Sequence, residues 1–303
     1  MWRYSLVILI LAQGFYLHAA INIDAFSTLE NDRFSNSGQF IMNQYDLSGV
    51  AIANDGRFVT MVSNNVFISA HHFYPSDGSS VTFYATNDPS GGSAVRTIQS
   101  SQRIGTTDIR IGVLSAPLSS AYKAYNFSTE DITSFSTGQN AFTRSDIHLK
   151  NAFILGRSPS AFSTSQDLAV GRNVIDNFGN VTVSGTTDLA AISTVNNNGD
   201  NNYVTHEAQL TVGDSSAPMF IDDGNGGLTM VGTNWFIGND GTNDINGQTY
   251  LGNYDTEIQN YIDANAVPEF MDFALWLGIL ALFGSIRHQR RTSHKMIGTR
   301  GGT

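Results

Sequence analysis

Three short segments of the chain carry the residue types that acyl transfer requires. The first is Val212-Gly213-Asp214-Ser215-Ser216-Ala217-Pro218. A nucleophilic serine needs a tight backbone that exposes its oxygen and aims nearby N–H groups at one point, and small residues on both sides allow that. The second is Asn65-Val66-Phe67-Ile68-Ser69-Ala70-His71-His72, where an apolar strand ends in a small pair and then histidine. A general base belongs at such a place, at the end of a rigid element. The third is Thr107-Asp108-Ile109-Arg110-Ile111-Gly112-Val113-Leu114, an acid leading into a strand. A buried aspartate there can hold an imidazole by its second nitrogen. Adjacent histidines can also bind metal, but no His-Glu-x-x-His or other ligand cluster accompanies them, so neither a metal nor a cofactor is expected.

The elements that must position these groups are short strands. Apolar runs recur at Gly49–Ala53, Phe58–Val62, Val66–Ser69, Val81–Tyr84, Ile109–Leu114, Ala152–Leu155, Val181–Val183 and Leu228–Val231. Turn clusters such as Asn54-Asp55-Gly56, Asn87-Asp88-Pro89 and Asn197-Asn198-Gly199-Asp200 separate them. That pattern predicts a β sandwich or barrel. Helical spacing is scarce, and the best case is Asp255–Ala264, with Ile258, Tyr261 and Ile262 on one face. No repeat of fixed period occurs.

Together the three segments resemble the chymotrypsin-like serine peptidases. Ile68-Ser69-Ala70-His71-His72 matches that family's Thr-Ala-Ala-His-Cys, with His72 at the Cys. Asp108-Ile109-Arg110-Ile111 matches Asp-Ile-Ala-Leu, and Gly213 to Pro218 matches Gly-Asp-Ser-Gly-Gly-Pro. The order His, Asp, Ser is also the family's. The resemblance implies an all-β fold of two six-stranded antiparallel β-barrel lobes with a short C-terminal helix. It implies a serine endopeptidase acting on proteins or peptides, with His71 as general base, Asp108 as its orienter and Ser215 as nucleophile. The backbone N–H groups of Gly213 and Ser215 would form the oxyanion hole. Gly232-Thr233-Asn234-Trp235 resembles the substrate-binding segment, and Gln209 falls at the base of the primary pocket, where a neutral amide gives no reason to expect an Arg or Lys preference. Ser216 and Ala217 depart from the family's two glycines. In the family a freed N-terminus pairs with the Asp before the nucleophile, here Asp214, yet the chain has no Ile-Val-Gly-Gly start to supply one.

The ends read as targeting segments around a body, residues 21–266. Residues 1–20 combine Arg3, an apolar stretch from Ser5 to Ala12, and Ala19-Ala20 as a cleavage site, which reads as a secretory signal. Residues 267–303 run Val267-Pro268-Glu269, apolar Phe273 to Ile286, then Arg287, Arg290 and Arg291. This order resembles the Pro-Glu-Pro sorting signal of Gram-negative bacteria, with Phe270 in place of the second Pro. It implies an exosortase-like processing enzyme as partner, a C-terminal membrane segment, and a secreted or cell-envelope location; a plain membrane anchor is the alternative. The formal net charge is −10. Six of the 16 basic residues lie in residues 1–20 and 287–303, which hold no acid, leaving ten bases against 26 acids in between. Such a body does not suit a phosphate backbone, so nucleic acid is not expected as a partner. The absence of cysteine rules out disulfides and thiolate metal sites. Two other functions fit the same residues: a non-catalytic surface or matrix binding protein on a protease fold, and a calcium-dependent adhesin built on Asp222-Asp223 and Asp240 to Asn246. The acidic turns lack EF-hand spacing, and turn chemistry accounts for them.

Overall fold

Strand side chains alternate between two faces, so a strand that is apolar throughout must be covered on both. The computed structural model, which describes residues 20–132, 146–160, 167–265 and 267, shows where those faces go. After β1 (Asn22–Ile23) and the one-turn helix α1 (Thr28–Asn31) come six strands: β2 (Val50–Ala53), β3 (Phe58–Met61), β4 (Val66–Ala70), β5 (Ser80–Tyr84), β6 (Ser93–Arg103) and β7 (Ile109–Leu114). They close into an antiparallel barrel in the order β2-β3-β4-β7-β6-β5. Ala51, Ala53, Val59, Met61, Phe67, Val81, Phe83, Ile98 and Leu114 fill one cluster. The alternate residues, among them Val50, Ile52, Phe58, Val66, Ile68, Ile109 and Ile111, pack instead with Leu155, Val170, Ala217, Phe220 and Met230 of the second lobe. Burying such side chains contributes roughly 1.5–3 kcal/mol each, so the seam between the lobes is as much a core as the barrel interior.

The second lobe follows β8 (Asn126–Phe127). Its strands are β9 (Asn151–Arg157), β10 (Leu168–Val174), β11 (Asn177–Val183), β12 (Thr186–Thr194), the short β13 (Ala208–Gln209), β14 (Pro218–Asp222), β15 (Leu228–Asn239) and β16 (Asp244–Tyr250). The expectation of a second six-stranded barrel is corrected. Among the described residues the sheet has eight strands, ordered β10-β9-β14-β15-β16-β12-β11 with β8 parallel to β15, and hydrogen bonds between them do not close it. Its two ends, β10 and β11, are consecutive in the chain. At the bend between them the Ile175 N–H donates to Lys150 O while the Asp176 N–H donates to Ile192 O, so the chain changes partner instead of the strands pairing with each other. β1 pairs with β13, and Ile21 and Ile23 enter the apolar core of this lobe.

Two segments tie the lobes together. Asn31 donates its amide to Val170 O in the second lobe. Two residues on, the buried Arg33 donates to Val50 O, Tyr84 O and Thr86 O in the first; burial lowers its pKa to about 10. The C-terminal helix α2 (Asp255–Asn265) buries Ile258 and Ile262 in the seam cluster, and Asn265 O accepts from the Asn65 side chain. Beyond it the chain divides into a second unit at Val267. No helix among the described residues is long and apolar enough to cross a membrane. The signal segment before Ala20 and the apolar Phe273 to Ile286 lie outside the described residues.

Candidate active site

β4 ends at Ala70, which pairs with Ile109 at the start of β7, so the residues just after one strand meet the residue just before the other. The His71 N–H donates to Asp108 O at 2.7 Å. The His72 N–H donates to Asp108 Oδ1 at 2.9 Å, and His72 Nδ1 lies 2.8 Å from Asp108 Oδ2. The imidazole held by Asp108 is therefore that of His72, and the expectation of His71 as the partner is corrected. The reason is the turn that follows β4: the chain bends at His71-His72, with the Phe73 N–H donating to Ala70 O, and it is the second ring that this bend brings to Asp108. A carboxylate accepts hydrogen bonds, so this contact places a proton on Nδ1, and in the neutral ring Nε2 of His72 is then the acceptor. Asp108 is 1% exposed, whereas the His72 side chain is 38% exposed.

His71 turns the other way. Its ring stacks on Tyr74 at 5.9 Å, and its Nδ1 lies 3.5 Å from the guanidinium of Arg110. Burial, with Arg103 and Arg110 beside it, pushes its pKa below the ordinary histidine value.

Ser215 lies in the turn before β14, and its neighbours set its place. The Ser216 hydroxyl, which also donates to Ser215 O, accepts the Phe58 N–H at 2.9 Å. Phe58 O in turn accepts from Ser69 Oγ at 2.7 Å. The β3–β4 register, Thr60 with Ile68, carries Phe58 to the level of Ala70. The Ser215 loop of the second lobe is thus docked at the level of Ala70, two residues from His72. Ser216, one of the two departures from glycine, holds that docking and adopts φ +70 to do so. Ala217 is fully buried in the seam.

The loop's amides divide into two sets. Those of Thr211, Asp214, Ser216 and Ala217 donate to Asp214 Oδ2, Thr211 O, Asn234 O and Asp214 O. Those of Val212, Gly213, at φ +107, and Ser215 have no acceptor among the described residues. This second set includes the two amides, Gly213 and Ser215, expected to bind an oxyanion.

The expected substrate-binding residues are placed differently. Asn234 is 1% exposed and its amide is consumed internally, donating to Leu155 O and Asp214 O and accepting from Gln248. It supports the nucleophile loop and does not face a ligand. Trp235 is 4% exposed, edge-on to Phe236 in an apolar cluster at an irregularity in the β15–β16 register. Gln209 pairs with Asn22, and its amide is held by the Asn22 and Asp244 side chains. The acidic turns are self-satisfied: Asp222 accepts from Tyr45 and Gly224, Asp223 from Asn225 and Gly227, and Asp240 from Thr242 and Asn243. No group of three or more His, Asp or Glu among the described residues is arranged to hold a metal.

Two residues near the site had no sequence signal. Asp188 on β12, 2% exposed, accepts the Asp108 N–H at 3.0 Å. Ile21, 2% exposed, lies close to the fully buried Asp214. Ile21 and Asp214 press on Gly156, where an added methyl would meet Asp214 Oδ1 at 2.6 Å and Ile21 Cβ at 2.7 Å. The Thr211 hydroxyl lies 2.9 Å from Ala20 O and 3.0 Å from Asp214 Oδ2. Burial pushes the Asp214 carboxyl up to about 7, against the lowering effect of its bonds from Thr211 and Arg157. The observed all-β architecture, with one closed barrel and a second curved sheet, is compatible with a trypsin-like fold. In comparisons with known proteins, no family model and no curated protein matches the chain.

Proposed function

We propose that the chain is a serine endopeptidase in which Ser215 is the nucleophile, His72 the general base and Asp108 the group that orients it. The observation that carries this reading is the His72 Nδ1 to Asp108 Oδ2 contact at the end of β4, the place where Ser216 docks the Ser215 loop. Ser215 Oγ attacks the peptide carbonyl as its proton passes to His72 Nε2. The oxyanion that forms accepts from the unbonded N–H groups of Gly213 and Ser215. As the C–N bond breaks, His72 Nε2 returns the proton to the leaving amine, and water then cleaves the acyl-enzyme by the same route. Beyond Thr233, among the described residues, only β16 is paired along β15, apart from the Ser215 turn's own bonds to Asn234. A substrate strand has that edge on which to lie.

Removal of a leader after Ala20 would free an ammonium on Ile21, whose side chain meets the Asp214 carboxyl around Gly156, and in this reading that ammonium turns to the Asp214 carboxylate. In this reading the acidic body is exported, and the C-terminal segment holds it at the membrane until it is processed. A fluorophosphonate probe tests the assignment. Labelling should fall on Ser215, vanish in Ser215→Ala, and drop in His72→Ala while surviving in His71→Ala. Labelling that needs His71 and not His72 would overturn the reading.

A further inference from the structure

We propose that Asp188 is a positioning residue, which from the second lobe holds the backbone of Asp108 and through it the His72 ring. Its consequence for rate rests on the peptidase reading; its geometric part does not.

Each polar group of Asp108 is used. The carbonyl accepts the His71 N–H, Oδ1 the His72 N–H, and Oδ2 the His72 ring. The remaining group, the Asp108 N–H, donates to Asp188 Oδ2. Three of these contacts lie within the first lobe and move with it. The fourth is the one that refers the aspartate to the second lobe, which carries Ser215. Asp188 is itself held: its Oδ1 accepts the Leu189 N–H at 2.8 Å and the Tyr254 hydroxyl. Burial and then the Asp188 carboxylate push the Tyr254 phenol's pKa upward, which keeps it a donor.

A second buried carboxylate beside Asp108 is a costly choice for packing alone. Removing it from water raises its pKa, and the charge of Asp108 raises it further, against the hydrogen bonds from Tyr254, Asp108 and Leu189. Arg103 reaches Thr186 Oγ1, two residues along β12 from Asp188, at 2.9 Å. A neutral side chain would fill the space at less expense. What the carboxylate adds is two oxygens that accept in different directions, one from the triad backbone and one from Tyr254. The triad geometry is then complete only when the lobes are docked.

The test uses the full chain with Asp188→Ala, Asp188→Asn and Tyr254→Phe, each also in an Asp108→Asn background. One readout is the low-field NMR resonance of the His72 Nδ1 proton; the other is the rate of fluorophosphonate labelling. Asp188→Ala should broaden or lose the resonance and slow labelling about 10²-fold, the loss expected from a misplacement of order 1 Å. Asp188→Asn, which keeps an acceptor for the Asp108 N–H, should retain the resonance and most of the rate. Tyr254→Phe should slow labelling up to about tenfold, one hydrogen bond's worth, and it keeps the proposal testable if Asp188→Ala does not fold. In the Asp108→Asn background Asp188→Ala should slow labelling no further. An unchanged resonance in Asp188→Ala, or losses that simply add in the double variant, would overturn the proposal. A resonance that depends on Asp188 in a protein that never labels would sink the peptidase reading and leave the positioning role standing.

Discussion

The buried carboxyl of Asp214 makes the two forms of the N-terminus thermodynamically distinguishable. In a form that retains residues upstream of Ile21, the amide at position 21 donates to Arg157 O, and no ammonium faces Asp214. Burial then holds the folded-state pKa at about 7 against 3.8 unfolded. At 1.36 kcal/mol per pKa unit that difference is about 4 kcal/mol. Its sign follows from proton binding. Between pH 3.8 and about 7 the folded state binds the proton that the unfolded state has released, so stability falls as pH rises through this window and levels off above it. In a form that begins at Ile21 the new ammonium favours the ionised carboxylate, and the slope should disappear. Asp214→Asn therefore acts with opposite sign in the two forms. It should stabilise the extended form at pH 8 by up to about 4 kcal/mol and destabilise the Ile21 form by about 3–5 kcal/mol, because a buried ammonium loses its partner. Urea unfolding followed by tryptophan fluorescence, from pH 4 to 8 on all four proteins, measures both. The same sign in both forms, or a flat profile for the extended form, would refute the reasoning.

Other substitutions probe the same site. His72→Ala should lower the labelling rate of Ser215 by at least about 10⁴-fold, whereas His71→Ala, which loses only the stack on Tyr74 and the contact with Arg110, should stay within about tenfold; the reverse order would exchange their roles. Ser216→Ala removes the acceptor of the buried Phe58 N–H and should cost about 1–3 kcal/mol in urea unfolding; no loss would mean that the docking rests elsewhere. Gly156→Ala places a methyl against Asp214 and Ile21. It should cost at least about 1–3 kcal/mol and abolish the difference between the two N-terminal forms, and a variant that still shows that difference would remove Ile21 from the vicinity of Asp214.

Much of this site was legible because its parts are local. Asp108 and Ser215 sit in segments whose small and apolar residues dictate a strand start and a tight turn, and the structure finds both there. The alternating turn clusters and apolar runs fixed the β class for the same reason, and the C-terminal helix, expected over Asp255–Ala264, runs Asp255–Asn265. The histidine was misread by one position: two adjacent identical residues give no local cue to register, and which of them faces Asp108 depends on the pairing of Ala70 with Ile109. The second barrel failed because closure is a property of strand pairing at the Ile175-Asp176 bend, which composition does not encode. Asp188 and Ile21 left no trace. Their partners, Asp108 and Asp214, are 80 and 193 residues away, and an acid within a strand or an isoleucine just before one is otherwise unremarkable.

The departures from glycine beside Ser215 bear on how the two lobes are made to act as one. A non-glycine residue at φ +70 costs roughly 1–2 kcal/mol. Leaving the buried Phe58 N–H without an acceptor would cost roughly 1–3 kcal/mol, so Ser216 is close to neutral for stability. Its effect is on geometry. The strained conformer is favoured only while Phe58 is present to donate, and Phe58 is presented by the closed barrel that also carries His72 and Asp108. Ala217 extends the same dependence through packing, since its methyl lies in the cluster with Phe58, Ile68 and Phe220. Asp188 works in the opposite direction, from the second lobe onto Asp108. The Ser215 loop is thus referred to the first lobe and Asp108 to the second, by buried contacts that run across the seam. A change that loosens the seam without touching Ser215, His72 or Asp108 should therefore slow labelling of Ser215 before it lowers global stability. Ile262→Ala, which trims α2 where it packs into that seam, is the variant to compare: a rate loss that tracks the stability loss one for one would show that the lobes do not cooperate in assembling the site.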